Sequence, residues 1–146
     1  GKLRAWDPGG TNPVADWDLP GPPTAVAVSP DGRRAAVAGA RGVRLVQVGG
    51  KTVSLAGLGD AVSGLAFDPS GGRVAGLDGT GRVVVWDAAT GAERFRFARP
   101  HAAAGVVALS ADAVATAGLG LAQVTVWDLA AGAKPRTYGP ADDCCY

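Results

Sequence analysis

Three valines run into a Trp-Asp pair in the stretch Gly81-Arg82-Val83-Val84-Val85-Trp86-Asp87. The β-branched run favours a short strand, and Asp is a residue type that favours the turn after it. The same ending recurs at Trp6-Asp7 and at Trp127-Asp128. The chain therefore repeats a strand that closes on Trp-Asp.

The repeat is regularly spaced. We place a fourth copy, without the Trp-Asp pair, at Gln47-Val48, so that the steps from Trp6 to Gln47, to Trp86 and to Trp127 are 41, 39 and 41 residues. A period of about 40 residues, with Gly, Pro and Asp turns between β-branched runs, is that of one four-stranded propeller blade. With 23 Gly and 10 Pro among 146 residues, long helices are disfavoured and an all-β chain is predicted.

The strand and turn signals divide residues 1–139 into blades, whose strands we letter a to d from the axis outward. We predict a half blade over 2–19, holding only strands c and d, and full blades over 24–57, 61–97 and 105–139, followed by a tail over 140–146. The inner strands are almost wholly small and apolar, which predicts packing on both faces. The segment Glu93–Phe97 alternates charged and aromatic residues, which predicts an outer strand with one solvent-facing side.

These residues resemble the WD-repeat β-propeller family over essentially residues 2 to 139. The most specific part is Gly81–Gly91, with Trp127-Asp128 in the same register. The resemblance implies blades of four antiparallel strands around a central axis. Trp17-Asp18 lies 11 residues out of register and is interpreted as a chance dipeptide.

The chain departs from the family in its polar residues. Family members often join an Asp of the b–c turn, a His before strand a, a strand b Ser or Thr and the Trp in a hydrogen-bonded tetrad. Here Asp78 is the nearest Asp and His101 stands near the His position, and the other b–c turns offer no uniform Asp. We expect the blades to depend on packing more than on this tetrad.

About three and a half blades fall short of the four to eight of a closed propeller. The chain is a segment of a larger propeller, or it pairs with another copy or a different half, or it forms a minimal four-bladed ring. We favour completion by further polypeptide, because the orphan strand c needs a and b neighbours. Gly1 in place of an initiator Met also suggests a processed or truncated N-terminus.

No catalytic, metal or cofactor constellation is predicted. His101 is the single histidine and is interpreted as a structural loop residue, and no Gly-x-Ser-x-Gly motif is present. Cys144 and Cys145 lie together in the tail, which favours free thiols, with an intermolecular bond or covalent attachment as alternatives. The chain is predicted not to be an enzyme and to need no cofactor.

Composition limits the partners. The 14 Lys and Arg nearly balance the 13 Asp and Glu, so the net charge of +1 does not predict electrostatic attraction of nucleic acid. The sequence has no apolar run of about 18 residues, so no transmembrane segment is predicted. High Ala, Gly, Val and Arg usage suggests a bacterial source. The sequence does not indicate a cellular compartment, and the cytoplasm is taken as the default.

Two hypotheses of function remain. The resemblance implies a non-catalytic scaffold that binds a protein partner, or associates with itself, through open blade edges and loops. The alternative is an accessory propeller of a larger enzyme or redox assembly whose active site lies elsewhere. On the geometry of the family, the candidate interaction residues in the b–c and d–a connections are Arg41, Asp60, Asp78, Arg99 and His101.

Overall fold

The computed structural model describes residues 1–19, 21–59, 61–98, 105–118, 123–130 and 134–139, and these form strands and no helix. The prediction of an all-β chain is confirmed. The strands are β1 (Lys2–Trp6), β2 (Pro13–Asp18), β3 (Pro23–Val28), β4 (Arg34–Gly39), β5 (Gly42–Gln47), β6 (Val53–Leu55), β7 (Val62–Phe67), β8 (Arg73–Asp78), β9 (Arg82–Asp87), β10 (Glu93–Ala98), β11 (Gly105–Leu109), β12 (Ala113–Gly118), β13 (Val124–Asp128) and β14 (Arg136–Tyr138).

The strands pair antiparallel with their neighbours in the chain to give four sheets. The half blade is β1–β2, and the first, second and third full blades are β3–β6, β7–β10 and β11–β14. Strand β3 lies against β7, and β7 lies against β11, so the innermost strands of successive sheets meet. The fold is an incomplete propeller, as predicted.

Each full blade has two different faces, because successive residues of a strand point to opposite sides of a sheet. In the second full blade, Val84 and Trp86 are buried in a cluster with residues of the first full blade. Val83 and Val85 are buried in a second cluster, with residues of the third. We call the side toward the preceding blade the upstream face and the side toward the following blade the downstream face.

The Trp of strand c belongs to the upstream face. Trp86 is 0% exposed, and its indole N–H donates a hydrogen bond of 2.7 Å to the carbonyl oxygen of Ala56 in the preceding blade. A Cβ on Gly76 would lie 3.0 Å from two carbons of the Trp86 ring, so strand b has a glycine where the ring packs. Trp127 likewise stacks on Phe97 of the second full blade, with ring centroids 5.6 Å apart.

The structure corrects the position of the fourth repeat. Arg34 pairs with Gln47 in the first full blade as Arg73 pairs with Asp87 in the second. Gln47 therefore matches the Asp, and Val46 matches the Trp, so the predicted placement at Gln47-Val48 is wrong by one residue. With Val46 in the position of the Trp, the steps become 40, 40 and 41 residues, although the b–c turn has two residues in the first full blade and three in the second.

The outer strand β10 has the predicted alternation. Phe95 and Phe97 pack against the downstream cluster. Between them the exposed Arg96 forms an ion pair with Glu93 at 2.6 Å, and Arg94 forms one with Asp87 at 2.8 Å. Charged side chains on an edge strand oppose pairing with other chains.

Two tryptophans at matching positions make a direct test of blade packing. Trp86 is buried, whereas Trp6 is 53% exposed. We expect Trp86→Ala to lower the free energy of unfolding by about 3–5 kcal/mol, because it leaves a cavity between two blades. Trp6→Ala, the matched control, is expected to cost less than about 1 kcal/mol. Urea unfolding followed by circular dichroism measures both, and equal losses would contradict this account.

Candidate interaction surface

The b–c turns and the d–a connections lie together at one end of the blades, which we call the rim. The main-chain N–H of Gly59, in the connection before β7, donates to Asp78 at 3.4 Å, and that of Gly79 donates to the carbonyl oxygen of Ala61 at 2.8 Å. In the first full blade the turn at Arg41 and the connection at Gly21 line the same cleft. The rim is thus continuous over at least two blades.

Arg41 is exposed on the rim, in the turn between β4 and β5. Together with Arg44 it lines a shallow cleft whose other side is formed by Leu19 and Gly21, the connection from the half blade. The guanidinium of Arg41 is therefore exposed to solvent beside the apolar side chain of Leu19. A binding role for Arg41 stays a prediction.

Asp78 is the last residue of β8, directly before the turn, and it does not present its carboxylate at the surface. Its side chain is 2% exposed and accepts hydrogen bonds from the hydroxyl of Thr80 at 2.5 Å and from the N–H groups of Thr80, Arg82 and Gly59. Burial alone raises the pKa of Asp78, and these hydrogen bonds outweigh it and hold the pKa below its ordinary value. The expectation of a surface role is corrected: Asp78 joins a turn to the connection beside it.

The remaining candidates, Asp60, Arg99 and His101, lie outside the described residues, as do Cys144 and Cys145. Their roles stay predictions. Where the tetrad can be compared, its contacts differ from the pattern of the family. Trp86 donates to the main chain, and the hydroxyl of Thr116, buried in strand b of the third full blade, has no hydrogen-bond partner among the described residues.

Removal of the Asp78 carboxylate tests its structural role. Because the pKa of Asp78 is lowered by folding, its contribution to stability is complete above the ordinary pKa and is lost as the pH falls through the folded value. We expect Asp78→Asn to flatten the loss of unfolding free energy between about pH 5 and pH 2. Asp78→Ala should cost about 1–3 kcal/mol at pH 7, because buried N–H groups lose their acceptor.

Thr80→Val is the companion variant, since it removes one donor and keeps the carboxylate. It should lower stability less than Asp78→Ala does. Urea titrations across the pH series give all three values. If Asp78→Asn kept the acid dependence of the parent chain unchanged, the carboxylate would not be the group responsible.

The inner strand of the first full blade carries an uncovered apolar row. Val26 and Val28 are 54% and 60% exposed. By strand register they match Leu65 and Phe67 of the second full blade, which pack against the cluster shared with the preceding blade. The prediction that inner strands are covered on both faces holds for β8 and is wrong for β3, because no inner strands precede β3 among the described residues.

The half blade covers only the outer part of the same face. Val37 and Val46, on β4 and β5, are buried, and the half blade turns Leu3 and Trp17 toward the first full blade. Between these side chains and Val28 an open, largely apolar cleft remains, which Arg4 and Arg34 also line. The uncovered area is thus the inner part of this blade's upstream face.

The third full blade is also open. Its downstream face carries Val106, 61% exposed, and Val124, which is exposed as well. The matching position to Val124 is Val83 of the second full blade, which is fully buried against the third. Both ends of the arc therefore present positions that an interior blade buries.

Sequence reasoning anticipated open ends but did not name these valines. The signal was present in the register of the repeat: Val26 and Val28 match the partly buried Leu65 and Phe67 one blade further along, and Val124 matches the buried Val83 one blade earlier. Among the described residues, no three His, Cys, Asp or Glu side chains are grouped as for a metal ion. Nor does that part of the chain hold a helix long and apolar enough to cross a membrane.

Comparison with known proteins agrees on the fold. The chain is similar to the β-propeller domain of Cps50 (Swd1) from Myceliophteria thermophila, with a TM-score of 0.69 and 17% identity over 84% of this chain and 40% of that one. It is similar to U3-55K with a TM-score of 0.76 and 20% identity, over 94% of this chain and 45% of that one. No family profile and no curated protein matches the sequence.

The chain spans less than half the length of these two solved structures. At this level of identity the likeness shows the fold. The resemblance to WD-repeat propellers, inferred from the Trp-Asp strands, is confirmed as a partial propeller.

Proposed function

We propose that the chain is a non-catalytic scaffold for protein–protein interaction and that further polypeptide completes its ring. The observation that carries this is the contrast between matching positions in different blades. Val106 and Val124 are exposed at the open end of the arc, whereas the interior blade buries Val83 against its neighbour. Exposed apolar groups in such a patch usually mark an interface.

The half blade supports the same proposal from the other end. Trp6 matches the buried Trp86 and Trp127, yet it lies open, with the guanidinium of Arg4 5.6 Å from its ring centroid. Arg4 in turn forms an ion pair with Asp16 at 2.8 Å. An exposed Trp with an Arg over its ring resembles the composition of interface centres, where Trp and Arg are enriched.

The rim offers a second kind of surface. Arg41 is exposed there, beside the apolar side chain of Leu19. In a completed ring the rim would stay free while the two ends are covered. Rim residues are therefore proposed to select a partner, and the ends to hold the ring together.

Self-association of the chain tests whether the open end that carries Val106 and Val124 is a binding surface. We expect the isolated chain to bind an apolar dye and to associate in sedimentation equilibrium. The double variant Val106→Asp/Val124→Asp should weaken association by roughly tenfold or more, since a carboxylate would be desolvated at the contact. Ala89→Asp is the matched control, because Ala89 is exposed in the turn after β9 of the second full blade, outside both open faces.

The contrary result is a well-folded monomer that binds no dye, or equal effects of the control and the double variant. Either would show that the ends of the arc are not interfaces. If a catalytic domain or a cofactor co-purifies with the chain, and the double variant abolishes that co-purification, the accessory role in a larger enzyme is favoured instead.

A further inference from the structure

The cleft at the rim of the first full blade carries two arginines. Arg41 lies in the b–c turn and Arg44 on strand c, and both line the cleft together with Leu19 and Pro23. All the residues that line it belong to the d–a connection with the start of β3 and to the hairpin of β4 and β5. None of the exposed valines at the ends of the arc is among them. We call this site the arginine cleft.

Arg44 places a charge at a position that the other full blades fill with a neutral residue. By strand register it matches Val84 of the second full blade and Thr125 of the third. Both of these are buried, whereas Arg44 is half-buried. Partial burial of a guanidinium costs free energy unless a partner of opposite charge offsets it.

The described residues do not supply that partner. Their five ion pairs lie in the half blade and in the second full blade. Neither Arg41 nor Arg44 takes part in any of them. The two guanidinium groups of the cleft therefore share one side of the first full blade without a carboxylate from the described part of the chain.

The second full blade shows what this place in a blade can hold. There Asp78, the last residue of strand b, accepts hydrogen bonds from the b–c turn and from the d–a connection. By register its position in the first full blade is that of Gly39, which lines the arginine cleft and adds no carboxylate. The first full blade thus has the cations and lacks the anion.

We propose that the arginine cleft binds an acidic side chain, Asp or Glu, of a partner polypeptide, whose carboxylate pairs with Arg41 and Arg44. The inference rests on the proposed function, since it names the chemistry of the partner that the rim selects. Arginine suits this role, because its planar guanidinium presents donors that match the two oxygens of a carboxylate.

The apolar part of the cleft indicates the neighbour of that acidic residue. Pro23 is exposed and Leu19 is half-buried, and both line the cleft beside the arginines. An apolar side chain next to the carboxylate would cover them and exclude water, which strengthens an ion pair. A free inorganic anion would leave this part of the cleft uncovered, so we expect an acidic–apolar segment of a protein.

A short peptide tests the proposal at pH 7. The probe is acetyl-Ala-Asp-Leu-Ala-amide, whose single charge is the Asp side chain, titrated into the isotope-labelled chain and followed by NMR. We expect saturable shifts of the main-chain N–H signals of Ala40 and Arg41. The Asn analogue of the peptide controls for charge and sodium acetate for a free carboxylate, and both should bind about tenfold more weakly or worse.

The variant Arg41→Gln/Arg44→Gln should weaken binding of the Asp peptide by about tenfold or more. The matched control is Arg33→Gln/Arg136→Gln, which changes the net charge equally at two exposed residues that do not line the cleft. The control should bind as the parent chain does. Equal weakening by the two variants, equal binding of the Asp and Asn peptides, or acetate binding as tight as that of the peptide would each overturn the proposal.

If the double variant does not fold, Arg41→Glu gives a second reading, because it changes only an exposed turn residue. It should abolish the saturable shifts, and unchanged binding overturns the proposal, as does a parent chain that shows no saturable shifts. Self-association through Val106 and Val124 is measured without the peptide. A chain that associates but binds no peptide keeps the proposed function and loses this inference, so the two ideas fail separately.

Discussion

Each full blade of this chain completes its burial only against the blades on either side of it. The Trp86 side chain shows the dependence most clearly, since its ring packs over Gly76 of its own sheet while its N–H reaches the main chain of the preceding one. A single four-stranded sheet could not bury both faces, because each face needs a neighbour. Repetition of the blade is thus a physical requirement, and exposed apolar positions at an end follow from it.

Polar side chains stabilise the tight turn between strands a and b. In the second full blade Asp68 is buried and accepts hydrogen bonds from Ser70 at 2.8 Å and from the N–H of Arg73 at 3.0 Å. In the first full blade the two residue types are exchanged: Ser29 is buried and donates to Asp31 at 2.5 Å. Either order satisfies the turn, which is why the sequence of the turn varies while its geometry is kept.

The Trp-Asp spacing was enough to predict blades of four strands, since strand c and its neighbours repeat with nearly constant length. It was not enough to place Val46 opposite Ala35, because Val46-Gln47 carries neither the Trp nor the Asp that mark the register in the other blades. Burial of Asp78 was also missed. A carboxylate in a turn is usually solvated, and only the three-dimensional approach of Gly59 and Thr80 encloses this one. The exposure of Val26 depends on strands that the sequence does not contain, so composition could not reveal it.

The second full blade alone contributes to both buried clusters. Arg73 adds a polar contact between the second and third full blades. Its guanidinium donates to the carbonyl oxygen of Ala111 in the next blade and lies 3.5 Å from the Asp68 carboxylate of its own blade. In a linear array, stability is a sum of units and of contacts between nearest neighbours. We expect the arc to melt in a corresponding order: the half blade and the third full blade open first, and the second full blade is the last sheet to be lost and the first that a refolding chain can build upon.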